Sequence, residues 1–212
     1  MTKIYLVRHG QTEWNKDLMF RGRKDIPLNE TGSREAEAIA HALEKKNIDA
    51  IYTSPLKRSI QTGEPTANIF GIKSVPIQEF IDIDYGEWEG LTFSEVQNKY
   101  RDQYALWENK PEKVRFPGGE TLEEARKRSF TGFKNIIKNN TDKSILIIPH
   151  RVINKILLCA ILGIGNSNFW RIRQDTGCIN LIEYTHKIFI LAKMNDTCHL
   201  KGIAYETAQQ DF

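Results

Sequence analysis

The residues best suited to chemistry at the start of the chain are Arg8 and His9, which follow an apolar run from Ile4 to Val7. A cation and an imidazole at the end of a buried segment are costly to desolvate unless a partner is present. This pair therefore predicts an anion-binding site. His150 ends a second apolar run, residues 143–150, and short apolar runs of this kind are typical of strands covered on both faces.

Strand and helix patterns alternate along the chain, with predicted strands at residues 3–8, 49–55, 75–77, 143–150, 178–186 and 187–194. Predicted helices cover residues 29–47, 56–70, 92–107, 120–139 and 151–162, the second of them strained by Gly63 and Pro65. The alternation predicts an α/β sandwich with a mostly parallel sheet. Ligands bind beyond the carboxyl ends of the strands in such sheets, so His9 and His150 are expected to share one site.

The composition of the 212 residues favours one domain, predicted over residues 1–212. A net charge of +3 is too small to suggest nucleic acid or a membrane as the main partner, so anion binding must depend on local arginines and lysines. The three cysteines, Cys159, Cys178 and Cys198, show no C-x-x-C spacing and predict reduced thiols in a cytoplasmic protein. No segment has the pattern of a signal peptide or the length of a membrane span.

Five motifs in order, LVRHGQTEWN, RGRKDIPLNETG, SPLKRSIQT, DIDYGEWEGLT and IIPHRV, resemble those of the histidine phosphatase superfamily, which has the phosphoglycerate-mutase-like fold. The resemblance implies a three-layer α/β/α sandwich with a helical insertion at about residues 84–135 that covers the site. Trp88, Trp107 and Phe116 lie in this insertion, either as part of a lid or as ordinary packing.

The resemblance also implies a catalytic set of Arg8, His9, Arg58, His150 and an acid. His9 is then the nucleophile that carries a phosphohistidine, Arg8 and Arg58 bind the phosphate, and His150 is the second histidine of the phosphate pocket. The chemistry agrees, because an imidazole attacks phosphorus only when neutral and nearby guanidinium charges disfavour its protonated form. The same charges compensate the phosphoryl oxygens.

Five further residues are candidates for phosphate or substrate binding: Gly10, Thr12, Asn15, Arg21 and Arg151. Gly10 suits a turn that needs unusual backbone angles or a close approach. Arg151 stands where many relatives carry glycine, and its side chain either packs outward or adds charge beside the pocket.

The general acid is the point at which this sequence departs from many relatives, which carry glutamate where Asp82 stands, four residues before Gly86. An ordinary aspartate has a pKa of about 3.9, so Asp82 needs apolar or anionic surroundings that raise its pKa. Two isoleucines flank it. Asp82 is the predicted acid, and Glu79 and Asp84 are the competing candidates.

These features predict a phosphomonoesterase that needs no metal or organic cofactor and acts on a small phosphorylated metabolite. A metal enzyme using His9 and His150 is disfavoured, because two guanidinium groups would repel a divalent cation. A non-catalytic protein is disfavoured by the complete set of site residues. A cofactor-dependent mutase is disfavoured by the short insertion.

Two stretches, residues 108–122 and 194–202, look like the metal-independent phosphoserine phosphatases of bacteria, so phosphoserine is the predicted substrate. The YGEWEG segment also resembles alpha-ribazole phosphatases and broad-specificity members, which remain the alternatives. Charge complementarity predicts that Arg21, Arg23 or Lys24 meets the substrate carboxylate and that Asp84 or Glu87 meets its ammonium. Family members are often dimers, so a homodimer through the tail strands is expected.

Overall fold

A computed structural model of the chain describes residues 1–203, so part of the predicted 1–212 domain, residues 204–212, lies outside the described residues. The central sheet has six strands: β1 (Thr2–Val7), β2 (Ala50–Thr53), β3 (Ser74–Pro76), β4 (Ser144–Ile148), β5 (Ile179–Thr185) and β6 (Ile188–Asp196). Their order is β3-β2-β4-β1-β5-β6. Strands β1 to β4 are mutually parallel, whereas β5 is antiparallel to both of its neighbours, β1 and β6. The predicted mostly parallel sheet is confirmed.

Helices cover both faces of this sheet. They are α1 (Glu13–Lys16), α2 (Glu30–Leu43), α3 (Lys57–Phe70), α4 (Phe93–Lys99), α5 (Arg101–Asn109), α6 (Leu122–Asn139) and α7 (Arg151–Ile161). Side chains of α2 and α3 pack with one face of β1, β2 and β4, while those of α6 and α7 pack with the opposite face. Successive side chains of the buried strands point to opposite faces of the sheet and so pack in different layers. The predicted three-layer sandwich is confirmed.

Helix α3 runs unbroken through both Gly63 and Pro65. A Cβ atom on Gly63 would lie 3.2 Å from the Cδ1 atom of Ile148 and 3.3 Å from the Cγ2 atom of Thr53. Glycine therefore allows α3 to approach the sheet closely at this point. The helix is stabilised by packing against β2 and β4 more than by its own residue preferences.

The helix predicted over residues 92–107 is instead two helices, α4 and α5, which meet at Tyr100. Tyr100 has a non-helical backbone, with φ −125° and ψ 45°. Its hydroxyl donates a hydrogen bond to Glu87 Oε2 at 2.7 Å, and its ring lies 6.1 Å from that of Trp88. These tertiary contacts accompany the non-helical backbone of Tyr100, at which the single helix predicted from the local sequence is interrupted.

Strands β5 and β6 form the predicted hairpin, and His186 and Lys187 make the turn with φ values of 49° and 64°. Two consecutive left-handed residues suit the right-handed twist of a hairpin. Outer positions of β6, Ile188 and Ile190, are exposed. The homodimer predicted through these strands stays a prediction. No helix within residues 1–203 combines the length and apolar character needed to cross a membrane.

Candidate active site

His9 and His150 each lie two residues beyond a buried strand, after β1 and β4 respectively. Because these two strands are parallel neighbours, their carboxyl ends lie side by side. The two imidazole rings are consequently 5.1 Å apart between centroids and meet edge to face. The structure thus brings together the two histidines that the sequence places at separate strand ends.

The His9 ring is held in one tautomer. Its Nδ1 atom lies 2.7 Å from the carbonyl oxygen of Gly10, which only accepts, so Nδ1 carries the proton and Nε2 carries the lone pair. Burial lowers the pKa of His9 well below its usual value, and the charges of Arg58 and Arg8 lower it further. His9 is therefore neutral at physiological pH, with Nε2 available as a nucleophile.

Gly10 is needed because two backbone segments approach each other closely. A Cβ atom on Gly10 would lie 2.5 Å from the carbonyl oxygen of Gly32, in the first turn of α2. The Gly10 amide also donates to Thr62 Oγ1 at 3.0 Å. Close approach, and not a positive φ, explains this glycine. The loop that carries His9 is thereby fixed against α2 and α3.

Arg58 lies fully buried beside both histidines. Its Nε atom donates to Nδ1 of His150 at 3.2 Å, and its Nη2 atom lies 3.2 Å from Oδ2 of Asp82. The same guanidinium donates to the backbone carbonyls of Lys24 at 2.7 Å and Gly22 at 2.8 Å. Burial lowers the pKa of Arg58 to about 10, so it remains a cation at neutral pH.

His150 is also neutral and held in one tautomer. Because its Nδ1 atom accepts from Arg58, its proton lies on Nε2, which donates to Ser54 Oγ at 2.7 Å. Burial lowers the pKa of His150 well below its usual value, and the Arg58 charge adds to the effect. Since Nε2–H is donated to Ser54 and Nδ1 accepts from Arg58, both ring nitrogens of His150 are engaged, and the ring helps to orient the Arg58 guanidinium.

The Asp82 carboxyl completes this cluster. Its Oδ1 atom accepts from the amide of Ile83 at 2.9 Å, and its Oδ2 atom lies 3.7 Å from Nδ1 of His150. Burial raises the pKa of Asp82, although the nearby Arg58 charge opposes the rise. A carboxyl group with a raised pKa is suited to donating a proton near neutral pH.

The two competing acids lie elsewhere. Glu79 is exposed, and its backbone carbonyl accepts from Arg128. The Asp84 carboxylate pairs with Arg23 at 2.9 Å and accepts from the amide of Gly86. Of the three candidates, Asp82 is the one whose carboxyl contacts Arg58 and approaches His150.

A cleft opens beside His9 and Asp82. Its other lining residues are Met19, Phe20, Arg21, Gly22, Tyr85, Phe93, Arg151 and Val152. Arg21 donates to the carbonyl of Trp14 at 3.1 Å, and the guanidinium carbon of Arg151 lies 5.9 Å from the centre of the Trp170 ring. Because Arg151 is buried and lines the cleft, its side chain does not pack outward and adds positive charge beside the pocket.

The remaining predicted site residues, Arg8, Thr12 and Asn15, are buried close to His9 in the chain. Arg8 is buried and donates to the carbonyl of Gln174 at 2.7 Å. Thr12 donates to Asn15 Oδ1 from both its amide and its hydroxyl, each at 2.9 Å, which closes the start of α1. All ten predicted residues are buried, which is an unusual concentration of charge for a protein interior.

Comparison with known proteins gives the family. Residues 4–197 match the family model described as histidine phosphatase superfamily (branch 1). The chain belongs to the histidine phosphatase superfamily. It is 32% identical over 200 residues to Phosphoserine phosphatase 1 of Hydrogenobacter thermophilus, covering 94% of this chain and 95% of that relative.

Solved structures of histidine phosphatases agree with this membership. Bacillus stearothermophilus YhfR superposes with a TM-score of 0.91 at 26% identity, covering 95% of this chain and all of that one. A phosphoserine phosphatase from Entamoeba histolytica, solved in complex with 3-phosphoglyceric acid, superposes with a TM-score of 0.84 at 28% identity, covering 94% and 100% of the two chains. The protein is thus a phosphatase with the phosphoglycerate-mutase-like fold.

The aromatic residues of the insertion in this histidine phosphatase have a packing role. Trp88, Trp107 and Phe116 are almost fully buried, and the ring of Phe116 lies 5.0 Å from that of Trp88 and 5.3 Å from that of Trp107. None of the three lines the cleft. The insertion instead contributes Tyr85 and Phe93 to the cleft wall, so the packing alternative is correct for all three residues.

Sequence reasoning missed two hydroxyl residues of the site. Ser54 follows β2 and receives the His150 hydrogen bond, while Thr62 lies one helical turn after Arg58 and receives the Gly10 amide. Both lie within the SPLKRSIQT motif. The end of β2, the strand next to β4, is the signal that would have placed Ser54 near His150.

Proposed function

We propose that the protein is a metal-independent phosphomonoesterase that forms a phosphohistidine on Nε2 of His9. The observation that carries this proposal is the neutral His9 ring, with its Nδ1 proton bound by the Gly10 carbonyl, beside Arg58 and His150. Nε2 attacks phosphorus in line, the new P–N bond forms, and the ester P–O bond breaks. Arg8 and Arg58 compensate the phosphoryl oxygens, where most of the negative charge lies.

Asp82 handles the protons in this mechanism. Burial raises the pKa of Asp82, and in this mechanism the protonated carboxyl gives its proton to the departing alcohol oxygen. The resulting carboxylate then takes a proton from water, which attacks the phosphohistidine. The P–N bond breaks, phosphate leaves, and both Asp82 and the His9 lone pair return to their starting states.

The substrate that we propose is phosphoserine. The name of the Hydrogenobacter relative supports it, and so do Arg21 and Arg151, two cations on the cleft beyond the Arg58–His150 pair. Arg23 and Asp84, which the sequence suggested for the carboxylate and the ammonium, are paired with each other instead. Among the described residues of the lining, Asp82 is the single carboxylate, so the cleft favours recognition of the substrate carboxylate over its ammonium.

A second candidate is favoured by the aromatic wall of the cleft. Phe20, Tyr85 and Phe93 offer apolar surface that would suit an aromatic base, such as that of alpha-ribazole phosphate. Such a substrate has no carboxylate for Arg151. The two candidates therefore differ in the role that they give to this arginine.

Substrate pairs that differ by one group test the proposal. We expect kcat/KM for phosphoserine and 3-phosphoglycerate to be about 10- to 100-fold higher than for O-phosphoethanolamine, which has no carboxylate. This factor corresponds to the free energy of one hydrogen bond to a charged group. Arg151→Gln should remove most of this preference while leaving O-phosphoethanolamine turnover nearly unchanged.

All assays are run with a chelator present, and a requirement for added divalent metal would overturn the metal-independent mechanism. Higher kcat/KM for alpha-ribazole phosphate would favour the second candidate.

Leaving-group dependence tests the role of Asp82. In Asp82→Asn we expect kcat/KM for phosphoserine to fall by about 10²- to 10³-fold, a usual size for general acid catalysis. The value for p-nitrophenyl phosphate, whose leaving group needs no proton, should change little. Because the first step needs protonated Asp82, kcat/KM for phosphoserine should decrease as the pH rises through the raised pKa of Asp82. In Asp82→Asn this decrease of kcat/KM with rising pH should be absent.

The control for this experiment is Glu79→Gln, which changes an exposed carboxylate in the same loop. It should behave like the wild type on both substrates. Equal losses on phosphoserine and p-nitrophenyl phosphate in Asp82→Asn would show that Asp82 is not the acid.

A further inference from the structure

The loop that carries Asp82, residues 79–84 and here called the acid loop, receives three hydrogen bonds to its backbone from one side chain of α6. Arg128 Nη1 donates to the backbone carbonyls of Glu79 and Ile81, each at 2.7 Å. Its Nη2 atom donates to the carbonyl of Asp82 at 3.0 Å. One planar guanidinium therefore satisfies three carbonyls within four residues and also donates to Glu120 from Nε and Nη2, which is more bonds than the three N–H donors of a lysine can make.

Glu120 fixes the Arg128 guanidinium from the other side. Its Oε2 atom accepts from Arg128 Nε at 3.1 Å, and its Oε1 atom accepts from the amide of Asp84 at 3.1 Å. Arg23 adds to this network by pairing with both Asp84 and Glu120. The acid loop is thus bonded to Arg128 of α6 at residues 79–82 and to Glu120, two residues before α6, at Asp84.

Arg128 contacts only the backbone of the acid loop, whereas the Asp82 carboxyl contacts Ile83 and Arg58. Arg58 is itself rigid, because it is buried and bonded to two carbonyls of another loop. The position of the carboxyl relative to His9 therefore depends on where the loop backbone is held. A displacement of about 1 Å in a reacting group can reduce a rate by about 10²-fold.

We propose that Arg128 is a positioning residue for the proton transfers of Asp82. It holds the backbone of the acid loop so that the carboxyl reaches the leaving oxygen of the substrate and, later, the attacking water. This inference rests on the proposed role of Asp82 as the acid. It assigns no contact between Arg128 and the substrate.

The test compares leaving groups in Arg128→Met. We expect kcat/KM for phosphoserine to fall about 10- to 100-fold, with less than about a 5-fold loss on p-nitrophenyl phosphate. Arg128→Lys keeps the charge but not the planar fork, so it should fall between the wild type and Arg128→Met. The matched control is Arg126→Met on the same helix. Arg126 also donates to a backbone carbonyl, that of Ile164 at 2.9 Å, but lies away from the acid loop.

A double variant separates this inference from the proposed function. If Arg128 acts through Asp82, adding Arg128→Met to Asp82→Asn should lower the phosphoserine rate no further. Additive losses, or equal losses on both substrates in Arg128→Met, would reduce Arg128 to a structural residue and overturn the inference. A lack of leaving-group dependence in Asp82→Asn itself would overturn the acid assignment and this inference together. If Arg128→Met does not fold, Arg128→Lys replaces it in the comparison of phosphoserine with p-nitrophenyl phosphate and in the double variant.

Discussion

His9→Ala is expected to abolish turnover of every phosphate ester, with kcat reduced by about 10⁶-fold, the size seen when a covalent nucleophile is removed. The reason is that no other described side chain near the cleft offers a neutral nitrogen with a free lone pair, since Nδ1 of His150 accepts from Arg58. The measurement is steady-state hydrolysis together with acid-quench trapping of a ³²P-labelled phosphoenzyme.

The matched control is His41→Ala, which removes an exposed histidine from α2. It should retain both turnover and the trapped label. A His9→Ala protein that still forms a phosphoenzyme, or that hydrolyses p-nitrophenyl phosphate at the wild-type rate, would contradict the phosphohistidine mechanism. Because the His9 ring is buried, the unfolding midpoint is measured alongside, so that activity lost through unfolding is not mistaken for loss of the nucleophile.

Arg58→Met should produce the second largest effect, a loss in kcat/KM on the order of 10³- to 10⁵-fold, as for other arginines that stabilise a transferring phosphoryl group. The variant also leaves Asp82 and the carbonyls of Gly22 and Lys24 without a cationic donor in a buried place. Breaking such a buried pair costs about 3–5 kcal/mol in the free energy of unfolding. Urea denaturation and kinetics measure the two effects separately.

Arg58→Lys distinguishes charge from geometry. Lysine restores the positive charge but cannot donate along the four directions that Arg58 uses, so we expect little recovery of activity. Inorganic phosphate should raise the melting temperature of the wild type and not of either variant. Near wild-type activity in Arg58→Lys would mean that the directed hydrogen bonds of Arg58 are dispensable.

The parts of the fold that follow from local sequence were predicted well. Buried runs such as Ile4–Val7 identify strands because their apolar character is continuous, and the alternation with helices gives the layered sheet. The meeting of His9 and His150 followed from a general property of parallel sheets, the shared edge at their carboxyl ends. Both inferences use only short segments and a rule of topology.

Features that depend on contacts between distant segments were not predictable. Tyr100, at which the helix breaks, bonds to Glu87 thirteen residues earlier, and the buried Arg151 lies against Trp170, about twenty residues later. The acid loop shows the same limit. Its flanking isoleucines suggested an apolar setting for Asp82, but nothing local indicated that Arg128, far along the chain, holds its backbone.

The hydrogen bond from His9 to the Gly10 carbonyl has a consequence for the chemical identity of the intermediate. Because the pros nitrogen, Nδ1, bonds to that carbonyl, the mechanism that we propose phosphorylates only the tele nitrogen, Nε2, and the proton on Nδ1 stays hydrogen-bonded to the backbone oxygen. In the proposed mechanism one main-chain oxygen thereby decides which ring nitrogen is phosphorylated. We expect antibodies and ³¹P resonances specific for the tele isomer, and not those for the pros isomer, to detect the trapped phosphoenzyme.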